Sequence, residues 1–322
     1  MFSVSAFNRA VVLLSAILLL AVLWGFFRIP DANLLIIVWG ALSSALLAGE
    51  RSFSRRSRKA LLLACYAAAW QFLISVSADW PLAQIILMTA MTCFSFLTLP
   101  DHHAGCIVMI VSSLAFFAPP GFSAAAGRCA DIFAALPVVL AITAFDHTKE
   151  EKMSIPAEHY SHKQALLLAA EIGIGTFIFK VLRLTQGPWI ILTVFFIRMS
   201  ETPELPGRKL AWQRIFAAPA GIIAGGFLLG TFFRIDARLV YLLPFIGAAS
   251  FFVFYNYGNF FLFSIIFMIT LTLFADWMSG TYGRFYFWDN FLSRTVSTLL
   301  GAFLELFLRR HPELEKEKEK AV

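Results

Sequence analysis

Apolar runs long enough to be held in a bilayer recur from one end of this chain to the other. That recurrence restricts the fold more than any motif does. The runs lie at 10–27, 33–49, 60–78, 82–99, 106–120, 129–145, 165–182, 188–199, 215–233, 239–255, 259–275 and 293–308. In lipid only helices or a closed barrel satisfy the backbone polar groups, and continuous runs without period-two alternation select helices. Charged residues make up 14% of the chain and the mean hydropathy is +0.76. Soluble domains carry about 25% charged residues, so an ordinary soluble fold is excluded. The predicted class is all-α: a polytopic membrane protein of about twelve transmembrane helices.

Several runs fall short of the ~20 residues that a full crossing prefers. The shortest, 188–199, is expected to extend through Arg198, whose long side chain would snorkel to the interface. Pro119 and Pro120 are expected to break 106–120. The first run lacks a small-residue cleavage site and continues into Trp24, Phe26 and Phe27, so it reads as an uncleaved span.

Orientation follows from the basic residues. One set of loops carries Arg9, the cluster Arg51 to Lys59, Lys149, Lys152, Lys163, Arg198, Arg208, Lys209, Arg214 and the tail from Arg309 to Lys320. The opposite loops hold only Arg28, Arg128, Arg183, Arg234, Arg238, Arg284 and Arg294. The positive-inside rule then predicts both termini in the cytoplasm. The net charge of +6 is spread over these loops and forms no single patch for nucleic acid. Cys65, Cys93, Cys106 and Cys129 have no CxxC spacing and read as small hydrophobes. Asp101-His102-His103 has no further ligand nearby, so no metal site is expected. No phosphate-binding loop, nucleophile elbow or metalloprotease His pair occurs, and neither an enzyme nor a cofactor is expected.

The only sizeable polar connector, 146–164, divides the chain into a first repeat at 1–145 and a second at 165–308; a charged tail follows at 309–322. Each half opens with a short turn into an apolar run, RIPDANLLIIVW against RLTQGPWIILTVF. Each continues through a basic loop, and each closes with an Arg leading a small-residue helix, GRCADIFAALP against LSRTVSTLLGA. Two parallel six-helix repeats about an axis along the membrane normal would give this order.

Ionisable residues inside such spans are functional candidates by default. Arg294, Thr298, Gly301 and Glu305 fall within about 60° of one another on one helix face. Glu305 is either a buried coupling group or half of a surface pair with Arg309, one turn on. Glu171 lies beside Gly173 and Gly175, and Lys180, nine residues away, points to the opposite face; each needs a partner from another span. Arg128 and Asp131 share a face at i,i+3 and either neutralise each other or leave the Arg for anion recognition. Gly221, Gly225, Gly226 and Gly230 form small-xxx-small pairs suited to close helix packing, as does Gly301.

These residues also carry a resemblance. Pro188-Trp189 at a span entry, Arg214 and Gly221 after a basic loop, and Arg294, Thr298 and Gly301 near the end resemble motifs of the fusaric acid resistance (FUSC) family, related to the aromatic acid exporters. Ala217 and Ala218 replace the family's Gly-Thr, and Ser297 replaces its Asp. The first half complements the last motif: Arg128 and Asp131 match, with Ile132 for Thr and Ala135 for Gly. The resemblance is to a compact member without large cytoplasmic domains. It implies an inner-membrane efflux subunit exporting small anionic or aromatic compounds, and Glu171 and Glu305, as carboxylates shielded from bulk water, are the candidates for coupling it to protons. It also implies a bacterial setting with a periplasmic adaptor and an outer-membrane channel, and is compatible with a homo-oligomer. The alternatives are a non-transporting membrane scaffold and an integral-membrane enzyme acting on lipid.

Overall fold

The computed structural model describes residues 39–40, 42–44, 46–47, 52–99, 102–117, 120–144, 161–201, 206–235, 259–278 and 287–308. The runs at 10–27 and 239–255, most of 33–49, and the tail lie outside the described residues. Every element among the described residues is helical and none is a strand, as expected. The helices are α1 (Phe53–Val76), α2 (Pro81–Thr98), α3 (His102–Ser113), α4 (Phe122–Ala144), α5 (His162–Val181), α6 (Pro188–Met199), α7 (Gly207–Ile235), α8 (Phe260–Met278) and α9 (Phe287–Leu308). By length and composition, α1, α2, α5 and residues 122–141 of α4 are apolar enough to cross a membrane.

Several helices begin earlier than their apolar runs. α1 starts at Phe53 rather than 60, α4 at Phe122 rather than 129, α7 at Gly207 rather than 215, and α9 at Phe287 rather than 293. Hydropathy marks only the apolar part of a helix, whereas Arg, Lys, Gln, Ala and Leu in SRRSRKA and RKLAWQR are good helix formers outside it. α5 likewise starts within the polar connector, on a capping box. Ser161 Oγ accepts from Gln164 N at 3.3 Å, and Ser161 N donates to Gln164 Oε1 at 2.8 Å. Pro81 and Pro188 open α2 and α6, where the missing N–H costs nothing.

α3 and α6 set the architecture. Each has 12 residues, about 18 Å of helix against a hydrocarbon core of about 30 Å. Ala104 to Ser113 and Pro188 to Ile197 are buried without interruption. α3 ends in a 3-10 turn at Leu114–Phe117, so 106–120 does break as its prolines suggest. These short helices pack on each other and are wrapped by longer ones: α1 and α2 against α3, α5 and α9 against α6. Phe96 on α2 stacks on Phe195 of α6 with centroids 6.2 Å apart. α4 lies on α1, and α7 on α8.

Two glycines allow the closest approaches. A Cβ at Gly301 would stand 2.5 Å from Ile190 O and 2.9 Å from Thr193 Cβ, so α9 lies directly on the α6 backbone. A Cβ at Gly221 would stand 2.6 Å from Ile265 O, so α7 lies directly on α8. Both fit the small-residue packing expected of these positions. Gly225 is buried on α7 and Gly226 half-buried. Gly230 lies on the same helix, and its surroundings are outside the described residues.

Replacing Gly301 with Val should therefore separate α9 from α6, costing about 1–3 kcal/mol of stability. Thermal unfolding in detergent would register the loss. Gly127→Ala, where no atom lies within 4 Å of the added Cβ, should melt as wild type does.

Candidate functional site

The buried charges converge on α6. Arg198 stands in its last turn, where the helix C-terminus favours a cation. Its Nη2 donates to Glu171 Oε2 on α5 at 3.0 Å and lies 2.9 Å from Glu305 Oε2 on α9. The side chains of Glu171 and Glu305 are 2% and 0% exposed, and that of Arg198 is 12% exposed. The two carboxyls are also close enough to interact directly. Glu171 Oε1 is buried with no hydrogen-bond donor.

This arrangement corrects one expectation. Arg198 does not snorkel to an interface; it turns inward, because two carboxylates offer it a stronger counter-charge than interfacial water does. The alternative of a surface pair for Glu305 also fails, since its side chain is fully buried and meets Arg198. Arg309 lies outside the described residues. Glu171 finds the partner from another span that the sequence required, and it sits at the middle of α5. Nine residues separate it from His162, about 14 Å of helix rise, close to half a hydrocarbon core.

A buried ion costs several kcal/mol unless it is paired, so the three groups depend on one another. Arg198→Met alone should destabilise the fold by about 3–5 kcal/mol, because two buried carboxyls lose the cation they share. Adding Glu171→Gln and Glu305→Gln to that variant should restore most of the loss, as measured by unfolding in detergent.

The remaining candidates divide. Arg294 and Thr298 share α9 with Glu305 and are buried. The Arg294 guanidinium lies 5.2 Å above the Trp189 ring, near the opposite end of α6 from Arg198. α6 and α9 therefore run in the same direction, whereas α5 runs against α6. Arg128 and Asp131 stand elsewhere, half-buried on α4, with Arg128 Nη2 donating to Ser75 Oγ on α1 at 2.5 Å. Lys180 is near the far end of α5 from its capping box, its Nζ 5.2 Å from the ring centroids of both Phe116 and Phe179. The structure thus joins Glu171 with Glu305, sets Arg294 and Thr298 along the same helix pair, and leaves Arg128, Asp131 and Lys180 apart.

Sequence reasoning missed the burial of two arginines. Arg198 was legible as the only basic residue of PWIILTVFFIRM, and that isolation is the signal. Arg214 on α7 is wholly buried, its guanidinium 5.9 Å from the Phe196 ring and its Nη2 3.4 Å from Met268 Sδ. Neither Arg214 nor Arg294 meets a carboxylate among the described residues. A ring face returns at most about 2 kcal/mol to a desolvated cation, less than its burial costs.

The hydroxyls show a similar contrast. Thr89, Thr92, Ser112, Ser113, Thr143 and Thr176 each donate to the carbonyl four residues earlier, the usual way of satisfying a hydroxyl in an apolar helix. Thr193 on α6 and Ser297 and Thr298 on α9 are fully buried, yet their oxygens have no partner. Comparison with protein-family models, with curated proteins and with solved structures finds no match.

Proposed function

We propose that this chain is the membrane subunit of an efflux transporter that exports small anionic or aromatic compounds by exchange with protons. The observation that carries the reading is the buried Glu171–Arg198–Glu305 triad. Both carboxylates share one guanidinium nitrogen. In a buried site, a proton taken up or released by either carboxyl changes the charge of the triad by one and so favours a different packing. Protonation of either carboxyl weakens one of the two ion pairs and so biases how α5 sits against the α6–α9 pair. Coupling-ion sites near the bilayer midplane are a recurrent transporter plan.

The proposed layout is about twelve spans in two parallel six-helix repeats, in a bacterial inner membrane, with both termini cytoplasmic. In that orientation the Arg294–Trp189 contact lies toward the periplasm and the triad deeper. The likeness to the fusaric acid resistance family rests on Arg214, Gly221, Arg294, Thr298 and Gly301, with Arg128 and Asp131 in the first half. Through it the reading extends to a periplasmic adaptor, an outer-membrane channel and a homo-oligomeric assembly.

Glu171→Gln and Glu305→Gln should each abolish proton-driven efflux in inverted membrane vesicles with an imposed pH gradient, while protein abundance stays near wild type. Gln keeps the shape of the side chain and removes the exchangeable proton. Wild-type efflux in both variants would sink the proton-carrier role. For orientation, a cysteine placed at Lys320 in a cysteine-free background should react with a membrane-impermeant maleimide only after permeabilisation. Labelling of intact cells would reverse the topology.

A further inference from the structure

Trp189, Thr193 and Phe196 fall within about 60° on one face of α6, with the two rings about 10 Å apart along its axis. Arg294 covers the first ring and Arg214 the second. Between them lies the Thr193 hydroxyl, buried and without a partner. On α9, Ser297 and Thr298 stand one turn beyond Arg294, on the way to Gly301, and their oxygens too are buried without partners. Arg214 is 0% exposed and Arg294 6% exposed. Nε of each, and Nη1 of Arg214, is buried without an acceptor. The stripe therefore holds two cations and three hydroxyl groups, all of them able to donate, and among the described residues no anion faces either cation.

From this geometry we propose that the α6 stripe is a binding bed for a small planar oxyanion of the carboxylate class, with one station at Arg294 and a second at Arg214. Each guanidinium keeps at least one N–H without an acceptor, and a guanidinium fork matches two oxygens of a planar anion. The hydroxyls of Thr193, Ser297 and Thr298 supply further donors between the stations. A bound anion gives each lone cation the counter-charge it lacks. The inference rests on the transport reading only for the purpose of the bed, as the place where the exported group is held. Binding itself can be measured without transport.

The test uses the full chain, purified in detergent, with sodium acetate replacing sodium isethionate at constant ionic strength. Acetate should raise the thermal midpoint of the wild type saturably, as a ligand of the folded state does. Nitrate should do the same, and chloride should do so only weakly. Arg294→Met should need at least about tenfold more acetate for the same shift, the usual scale for losing hydrogen bonds to a charged group. In isethionate alone that variant should be no less stable than wild type, because a lone buried charge has been removed; a merely structural arginine would give the opposite sign. Arg214→Met should behave likewise. Should a Met variant not fold, Arg294→Lys keeps the charge without the fork and should lose acetate affinity more than chloride affinity.

No saturable acetate shift in the wild type, or an undiminished shift in the double Met variant, would overturn the proposal. A shift with chloride as strong as with acetate would overturn its oxyanion class. Glu305→Gln should keep the acetate shift. Absence of efflux with the shift intact leaves the bed standing and counts against the transport reading, whereas normal efflux without any shift counts against the bed alone.

Discussion

A single guanidinium nitrogen, Arg198 Nη2, is shared by carboxylates from two different helices, and the second half of the molecule is organised around that sharing. Burying three charged groups inside an apolar bundle is affordable only if they meet, so α5, α6 and α9 cannot be positioned independently. α6 has to be short enough to end where Glu171 stands in mid-helix. α9 has to run parallel to α6 and close enough for Glu305 to reach the same nitrogen. Gly301 supplies that closeness by leaving out the one atom that would strike the α6 backbone.

The two short helices follow a related logic. A helix of about 18 Å cannot cross a hydrocarbon core alone, and its end groups would face lipid if it lay at the surface. α3 and α6 avoid this by being sheathed on all sides by longer helices. Their burial makes room for polar chemistry at depth, because what lies at the end of α6 is protein rather than lipid. The wrapping helices show the complementary pattern, with exposed Phe, Leu and Ile on their outer faces such as Leu82, Ile86, Phe177 and Phe227.

Much of the fold was legible in the sequence. Continuous apolar runs identify the helices α2, α5, α6 and α8 to within a few residues, since burial in lipid imposes that pattern directly. The starts of α1, α4 and α7 were not legible, because those turns carry polar or small residues that hydropathy ignores; the start of α9 was hidden by Asp289 and Asn290, which interrupt its apolar run. In the site, Glu171 and Glu305 stood out as carboxylates in apolar helices. What could not be read was which cation answers them. Lys180, Arg294 and Arg309 were nearer in sequence or on the same helix, and only the parallel packing of α6 on α9 selects Arg198. The burial of Arg214, legible in the sequence only as a loop cation and part of a motif resemblance, was hidden for a similar reason: it depends on α8 and Phe196, and nothing in QRIFAAP distinguishes a sealed arginine from a loop-end one.

The order in which the triad's members leave the ribosome matters for how the protein can be built. α5 and α6 are consecutive and antiparallel, so Glu171 and Arg198 are made together as a hairpin that already carries its own opposite charges. Glu305 comes only after α7 and α8 have been made. Until then Arg198 has one partner, and the groove on α6 that will receive Gly301 stands open. Assembly of the second half is therefore a closing step: the last helix brings both the missing carboxylate and the flat surface that seals it in, and a chain truncated before α9 would leave α6 uncovered on that side.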